Sequence, residues 1–122
     1  QQLKAAFAAQ KSLTVDKLVG TWRWDGGEGI GVSETSFHKD GTYQLIRMIS
    51  GAGVLWDVGT YVIKGDQVTL TTSEAHYCQV GDQGIYQMAI TEDGKLKQTP
   101  IEDSCSRRKP PVNVFYLERV TP

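Results

Sequence analysis

The fold is decided by one stretch, Phe37-His38-Lys39-Asp40-Gly41-Thr42-Tyr43-Gln44-Leu45-Ile46-Arg47-Met48-Ile49. Asp40-Gly41 is the dipeptide expected in a type I′ hairpin, and the residues after it are rich in aromatic and β-branched side chains. Working outward, residues 32–39 read as the strand entering this turn and 42–49 as the strand leaving it. Gly51-Ala52-Gly53 is read as the next turn, ahead of a long strand at 54–63 that Gly59 interrupts. Lys64-Gly65-Asp66 turns into 67–73, Gln-Val-Thr-Leu-Thr-Thr-Ser, which alternates with period two. Further strands are expected at 84–91, 95–101 (after the Asp93-Gly94 turn) and 112–120, and the first strand holds Trp22 to Trp24. Short strands at roughly ten-residue spacing, with no helices between them, point to one antiparallel sheet. Closure into an all-β, up-and-down barrel of about eight strands leaves no unpaired edge. A two-sheet sandwich is the alternative.

The chain has 122 residues, enough for one domain with its own core. Net charge is −1, so no overall field favours nucleic acid or an anionic membrane. Apolar runs are far shorter than the ~20 residues needed to span a bilayer. The first residue is Gln1, which implies a processed or trimmed chain, and residues 1–9 lack the apolar core of a signal peptide. Residues 1–17 read as a helical segment ahead of a barrel domain at 18–122. In this segment Leu3 and Phe7 share a face, and Thr14 caps a second short turn that carries Asp16 and an inward Leu18. Cys78 and Cys105 lie in polar, loop-like surroundings. They are read either as one structural disulfide or as two buried thiols. The disulfide reading implies an oxidising compartment, secreted or periplasmic, rather than the cytoplasm. Neither cysteine sits in a CxxC or zinc-type spacing, and His38 and His76 are too few for a metal site, so no metal or cofactor is implied.

Gly20-Thr21-Trp22, directly after a short helical turn, resembles the GxW signature of the lipocalins and related calycins, in particular small bacterial lipocalin-like domains. The resemblance extends to Phe37-His38-Lys39-Asp40-Gly41-Thr42-Tyr43, Trp56-Asp57-Val58-Gly59-Thr60-Tyr61 and Gly65-Asp66. It implies a structural role for Trp22 at the closed end of the barrel, with a late cation lying across it. Arg119, on the same strand face as Phe115 and Leu117, is that cation. The chain is shorter than a typical secreted lipocalin and shows no helix after its last strand.

A barrel of this size holds either a packed core or one small ligand. The expected ligand-facing set is Trp24, Phe37, Tyr43, Trp56, Tyr61, Tyr86, Met88 and Phe115, with Arg47 as a polar anchor for a carboxylate or carbonyl. Glu34, His38, Tyr43 and Asp57 are the candidate acid–base groups if the barrel is an enzyme. The competing reading of these polar residues is that they alternate with apolar ones because they face solvent. Arg107-Arg108-Lys109, stiffened by Pro110-Pro111, reads as a solvated loop or as an anion-greeting rim. The GxSxG, Walker, GxGxxG, HExxH and EF-hand patterns are all absent. The leading expectation is therefore a module that binds a small hydrophobic or amphipathic molecule in a cavity of a few hundred cubic ångströms. Its rivals are a barrel isomerase, cyclase or hydrolase, and a filled barrel acting through its surface as an inhibitor or assembly partner.

Overall fold

The computed structural model describes residues 13–120. Among the described residues the one helix, α1 (Val15–Leu18), is capped by Thr14, whose hydroxyl accepts from the Lys17 amide. The helix expected over residues 3–12, with Leu3 and Phe7, lies outside the described residues. Eight strands follow: β1 (Gly20–Asp25), β2 (Val32–Phe37), β3 (Thr42–Ile49), β4 (Ala52–Lys64), β5 (Gln67–Glu74), β6 (Gln83–Ile90), β7 (Leu96–Asp103) and β8 (Phe115–Arg119). Each pairs antiparallel with its sequence neighbours, and β8 pairs back onto β1 at Trp22↔Arg119 and Arg23↔Glu118. The sheet is thus a closed up-and-down barrel, not a sandwich.

Apart from shifts of up to two residues at several strand ends, three features differ from the sequence reading, each for a local reason. Asp40-Gly41 does not form a type I′ turn, because only Gly41 has positive φ. The Gly41 amide bonds to the His38 carbonyl, and the Asp40 carboxylate is held by the Thr42 amide and hydroxyl. The result is a type I turn closed by glycine, and Asp93-Gly94 uses the same device. The turn with two positive φ values is Ser50-Gly51, joining the Ile49↔Ala52 pair, so Ala52 and Gly53 belong to β4. Finally, β8 begins at Phe115, not 112, because residues 104–114 leave the sheet and cross one end of the barrel.

At the end where β1 starts, the interior is apolar. Leu18, Trp22, Val68, Met88 and Leu96 have no exposed surface, and Leu13, Tyr61 and Leu117 pack with them. The Trp22 indole N–H donates to the Leu18 carbonyl at 2.8 Å. The Arg119 guanidinium lies 4.1 Å from the centre of the Trp22 ring and donates to the carbonyls of Val19 and Lys17. This end is closed. Cys78 and Cys105 form a disulfide, which ties residues 104–114 to the β5–β6 loop at the opposite end.

Candidate functional site

Inward parity brings two carboxylates to the second end. Asp57 projects from β4 beside a bulge that displaces Trp56, and Asp103 projects from the end of β7. Neither carboxylate has exposed side-chain surface. Buried carboxylates need compensation, and Arg108 supplies it from the crossing segment. Its side chain is 2% exposed, with Nε 3.4 Å from Asp57 Oδ2 and 3.5 Å from Asp103 Oδ2. Nη1 donates to the Leu70 carbonyl at 3.0 Å, and Nη2 to Thr72 Oγ1 at 3.1 Å and the Asp82 carbonyl at 3.2 Å. Nε has ion-pair contacts but no hydrogen-bond partner among the described residues.

Two tyrosines complete the network. The Tyr43 hydroxyl donates to Asp57 Oδ2 at 2.5 Å, and the Tyr86 hydroxyl to Asp103 Oδ2 at 2.5 Å. Thr72 donates to Asp57 Oδ1, and the Cys105 amide to Asp103 Oδ1. Each tyrosine depends on a glycine. A Cβ on Gly59 would lie 1.9 Å from the Thr71 carbonyl oxygen and 2.8 Å from the Tyr43 ring; one on Gly84 would lie 2.5 Å from Asp103 Oδ2 and 2.7 Å from the Tyr86 ring. Burial, helped by the carboxylate each phenol bonds, pushes both phenols far above the ordinary tyrosine value, so both are held as neutral donors. Burial also raises the Asp103 carboxyl, against the opposing pull of Tyr86, the Cys105 amide and Arg108.

Below this network is a cavity of about 40 Å³, lined by Trp24, Ser33, Thr35, Phe37, Tyr43, Leu45, Leu70, Tyr86, Gln98, Arg108, Pro110, Phe115 and Leu117. That volume holds about three waters, not the few hundred cubic ångströms expected. The shortfall has a visible cause in Arg108 and Pro110, which occupy the mouth. A smaller recess of about 20 Å³ adjoins it, lined by Trp24, Ser33, Leu45, Arg47, Arg108 and Pro110. Gln98 is buried, yet its amide and the hydroxyls of Ser33 and Thr35 have no protein hydrogen-bond partner among the described residues.

The residues singled out from sequence divide cleanly. Trp24, Phe37, Tyr43, Tyr86 and Phe115 line the cavity, and Arg47 lines the recess. Trp56, Tyr61 and Met88 line neither. Trp56 sits on the rim, stacked on Tyr77 at 3.8 Å with its indole N–H donated to the Arg107 carbonyl. Tyr61 packs on Phe37 and donates to the His38 carbonyl, while Met88 is core at the closed end. Of the acid–base candidates, Tyr43 and Asp57 meet in the network, whereas Glu34 faces outward, 3.9 Å from Arg23, and His38 is exposed in the β2–β3 turn. Arg108 is neither solvated nor a rim group. Its insertion was missed because loop residues carry no parity; the available signal was two inward carboxylates without a cation.

Neither a protein-family model nor a curated protein matches the chain. Among the described residues, no helix is long and apolar enough to cross a membrane.

Proposed function

We infer that the barrel is a binding module for a small amphipathic molecule, taken up through the end crossed by residues 104–114. The observation that carries this reading is the Gln98 amide, which belongs to a buried residue, lines a largely aromatic and aliphatic cavity without being fully enclosed, and has no protein partner among the described residues. An amide with no protein partner that is not fully enclosed is available to water or to a polar group of a ligand. Together with the Ser33 and Thr35 hydroxyls it offers a small set of fixed polar contacts on an apolar wall, the usual composition of a ligand site. Access comes from residues 109–114, which make no hydrogen bonds among the described residues and touch the cavity through Pro110. Segments with so few contacts open at low free energy. The lipocalin-like reading is supported at the other end, where Arg119 lies over Trp22 as the GxW resemblance requires. The disulfide fits a secreted or periplasmic setting.

The test is a thermal shift series with benzyl alcohol and short-chain alcohols. Binding to the native state raises Tm in a saturable way. Ser33→Phe, which fills the recess and cavity wall, is expected to abolish the shift while keeping a cooperative transition of its own. No saturable shift in the wild-type protein, or an equal shift in Ser33→Phe, counts against the reading.

A further inference from the structure

The geometry points to an anionic ligand, a carboxylate on a short apolar body, bound with its carboxylate at the mouth on Arg47 and its body directed inward. This rests on the reading of the interior as a binding site and adds the charge and orientation of what fills it.

The charges are graded along the barrel axis. Inside, one guanidinium (Arg108) faces two carboxylates (Asp57 and Asp103), so the network is −1 with both ionised and 0 with one protonated. It is positive only if both carboxylates are protonated, and in the other two states it repels or ignores an anion. The outer recess is lined by Arg47 and, among the described residues, by no carboxylate. Arg47 lines the outer recess and has no carboxylate within 4.0 Å among the described residues, and neither do Arg107 and Lys109 on the crossing segment. Arg47 is also held in place. Its Nη2 donates to the Ile30 carbonyl at 3.0 Å, and its guanidinium lies 4.8 Å from the centre of the Trp56 ring, itself stacked on Tyr77. One of its five N–H donors is therefore used, and the other four are free of protein acceptors among the described residues. A guanidinium fixed by stacking, with spare donors, matches the planar bidentate geometry of a carboxylate. The apolar body then lies between Trp24, Leu45 and Phe115, inward of Arg47 and short of the carboxylates.

The experiment compares benzoate, benzyl alcohol and benzylammonium by calorimetric titration against the wild-type protein, Arg47→Gln and Arg47→Lys. Benzoate is expected to bind the wild-type protein tightest and benzylammonium weakest. Arg47→Gln is expected to weaken benzoate by about tenfold or more and to leave benzyl alcohol within about twofold, with Arg47→Lys between. Benzyl alcohol binding to Arg47→Gln doubles as proof that the variant keeps its cavity. If benzyl alcohol binds while benzoate binds no better, or if Arg47→Gln leaves benzoate unchanged, the charge and orientation are wrong and the interior site stands. If none of the three binds the wild-type protein, the interior reading itself fails and takes this one with it.

Discussion

Both ends of this barrel are finished by an arginine, and the two arginines do different work. Arg119 is exposed, lies flat on an aromatic ring and donates to two backbone carbonyls. It loses little hydration, and no buried carboxylate pairs with it among the described residues. Arg108 is withdrawn from water and placed between two buried carboxylates, so each member of the group is tolerable because the others are there. The first arrangement seals an end that is already full of apolar side chains. The second holds a polar stopper in an end that is not full, beside a cavity whose Gln98, Ser33 and Thr35 side chains have no protein partner among the described residues. The contrast underlies the proposal that ligands enter at the Arg108 end and not at the Arg119 end.

The largest expected effect comes from breaking the stopper. Arg108→Met leaves two buried carboxylates uncompensated and is expected to destabilise the fold by about 3–5 kcal/mol, read by urea denaturation. Adding Asp57→Asn and Asp103→Asn to that variant is expected to recover most of the loss, because the charges that made it costly are gone. Next is the disulfide, whose cysteines are 27 residues apart. Replacing both with alanine is expected to lose about 3.5 kcal/mol in the chain-entropy model. Amide exchange should quicken around residues 104–114 while the Leu18–Trp22 region stays protected; equal quickening at both ends would erase the distinction. Arg119→Gln is expected to cost about 1–2 kcal/mol, the scale of an exposed cation–π contact plus hydrogen bonds. A loss as large as that of Arg108→Met would show that the two arginines are equivalent after all.

The smallest effect is in pH. Burial raises the Asp103 carboxyl, so the folded chain holds that proton more tightly than the unfolded one. Its stabilising contribution is complete below 3.8, the ordinary value, and is lost as pH rises through the raised one. Asp40, Asp82 and Asp93 run the other way. Hydrogen bonds lower them, and what they contribute is present above 3.8 and lost as pH falls through their lowered values. Carboxyl titration by NMR is expected to place Asp103 above 3.8 and these three below it.

The closed end was the more legible half of the molecule. Period-two alternation from β2 to β7 placed every strand within about two residues, and the resemblance of Gly20-Thr21-Trp22 to the GxW signature, with the parity of Arg119, pointed to the seal. The hairpins were found but their turn types were not, since that depends on what Asp40 and Thr91 bond to, not on the dipeptide. The second end was half legible. Tyr43, Asp57 and Tyr86 could be placed inward by alternation, and Trp24, Phe37 and Phe115 as cavity wall. Glu34 and His38 were drawn in because they are chemically versatile, although their own strand already put Ser33, Thr35 and Phe37 on the opposite face. Arg108, Pro110 and the packing of 104–114 across the mouth arise from a disulfide-tethered loop, where no periodicity exists to read. For the same reason the expected cavity volume was too large, since nothing local announces that a loop fills a barrel.

On the proposed function, small amphipathic molecules enter at the Arg108 end and reach Gln98. An NMR titration with benzyl alcohol tests it directly by following the Gln98 side-chain amide and the Trp24 indole against the Trp22 indole. Saturable shifts are expected at Gln98 and Trp24 with a common dissociation constant, and no shift at Trp22, whose N–H is locked to Leu18. Shifts confined to exposed residues, or shifts at Trp22 without any at Gln98, would contradict it.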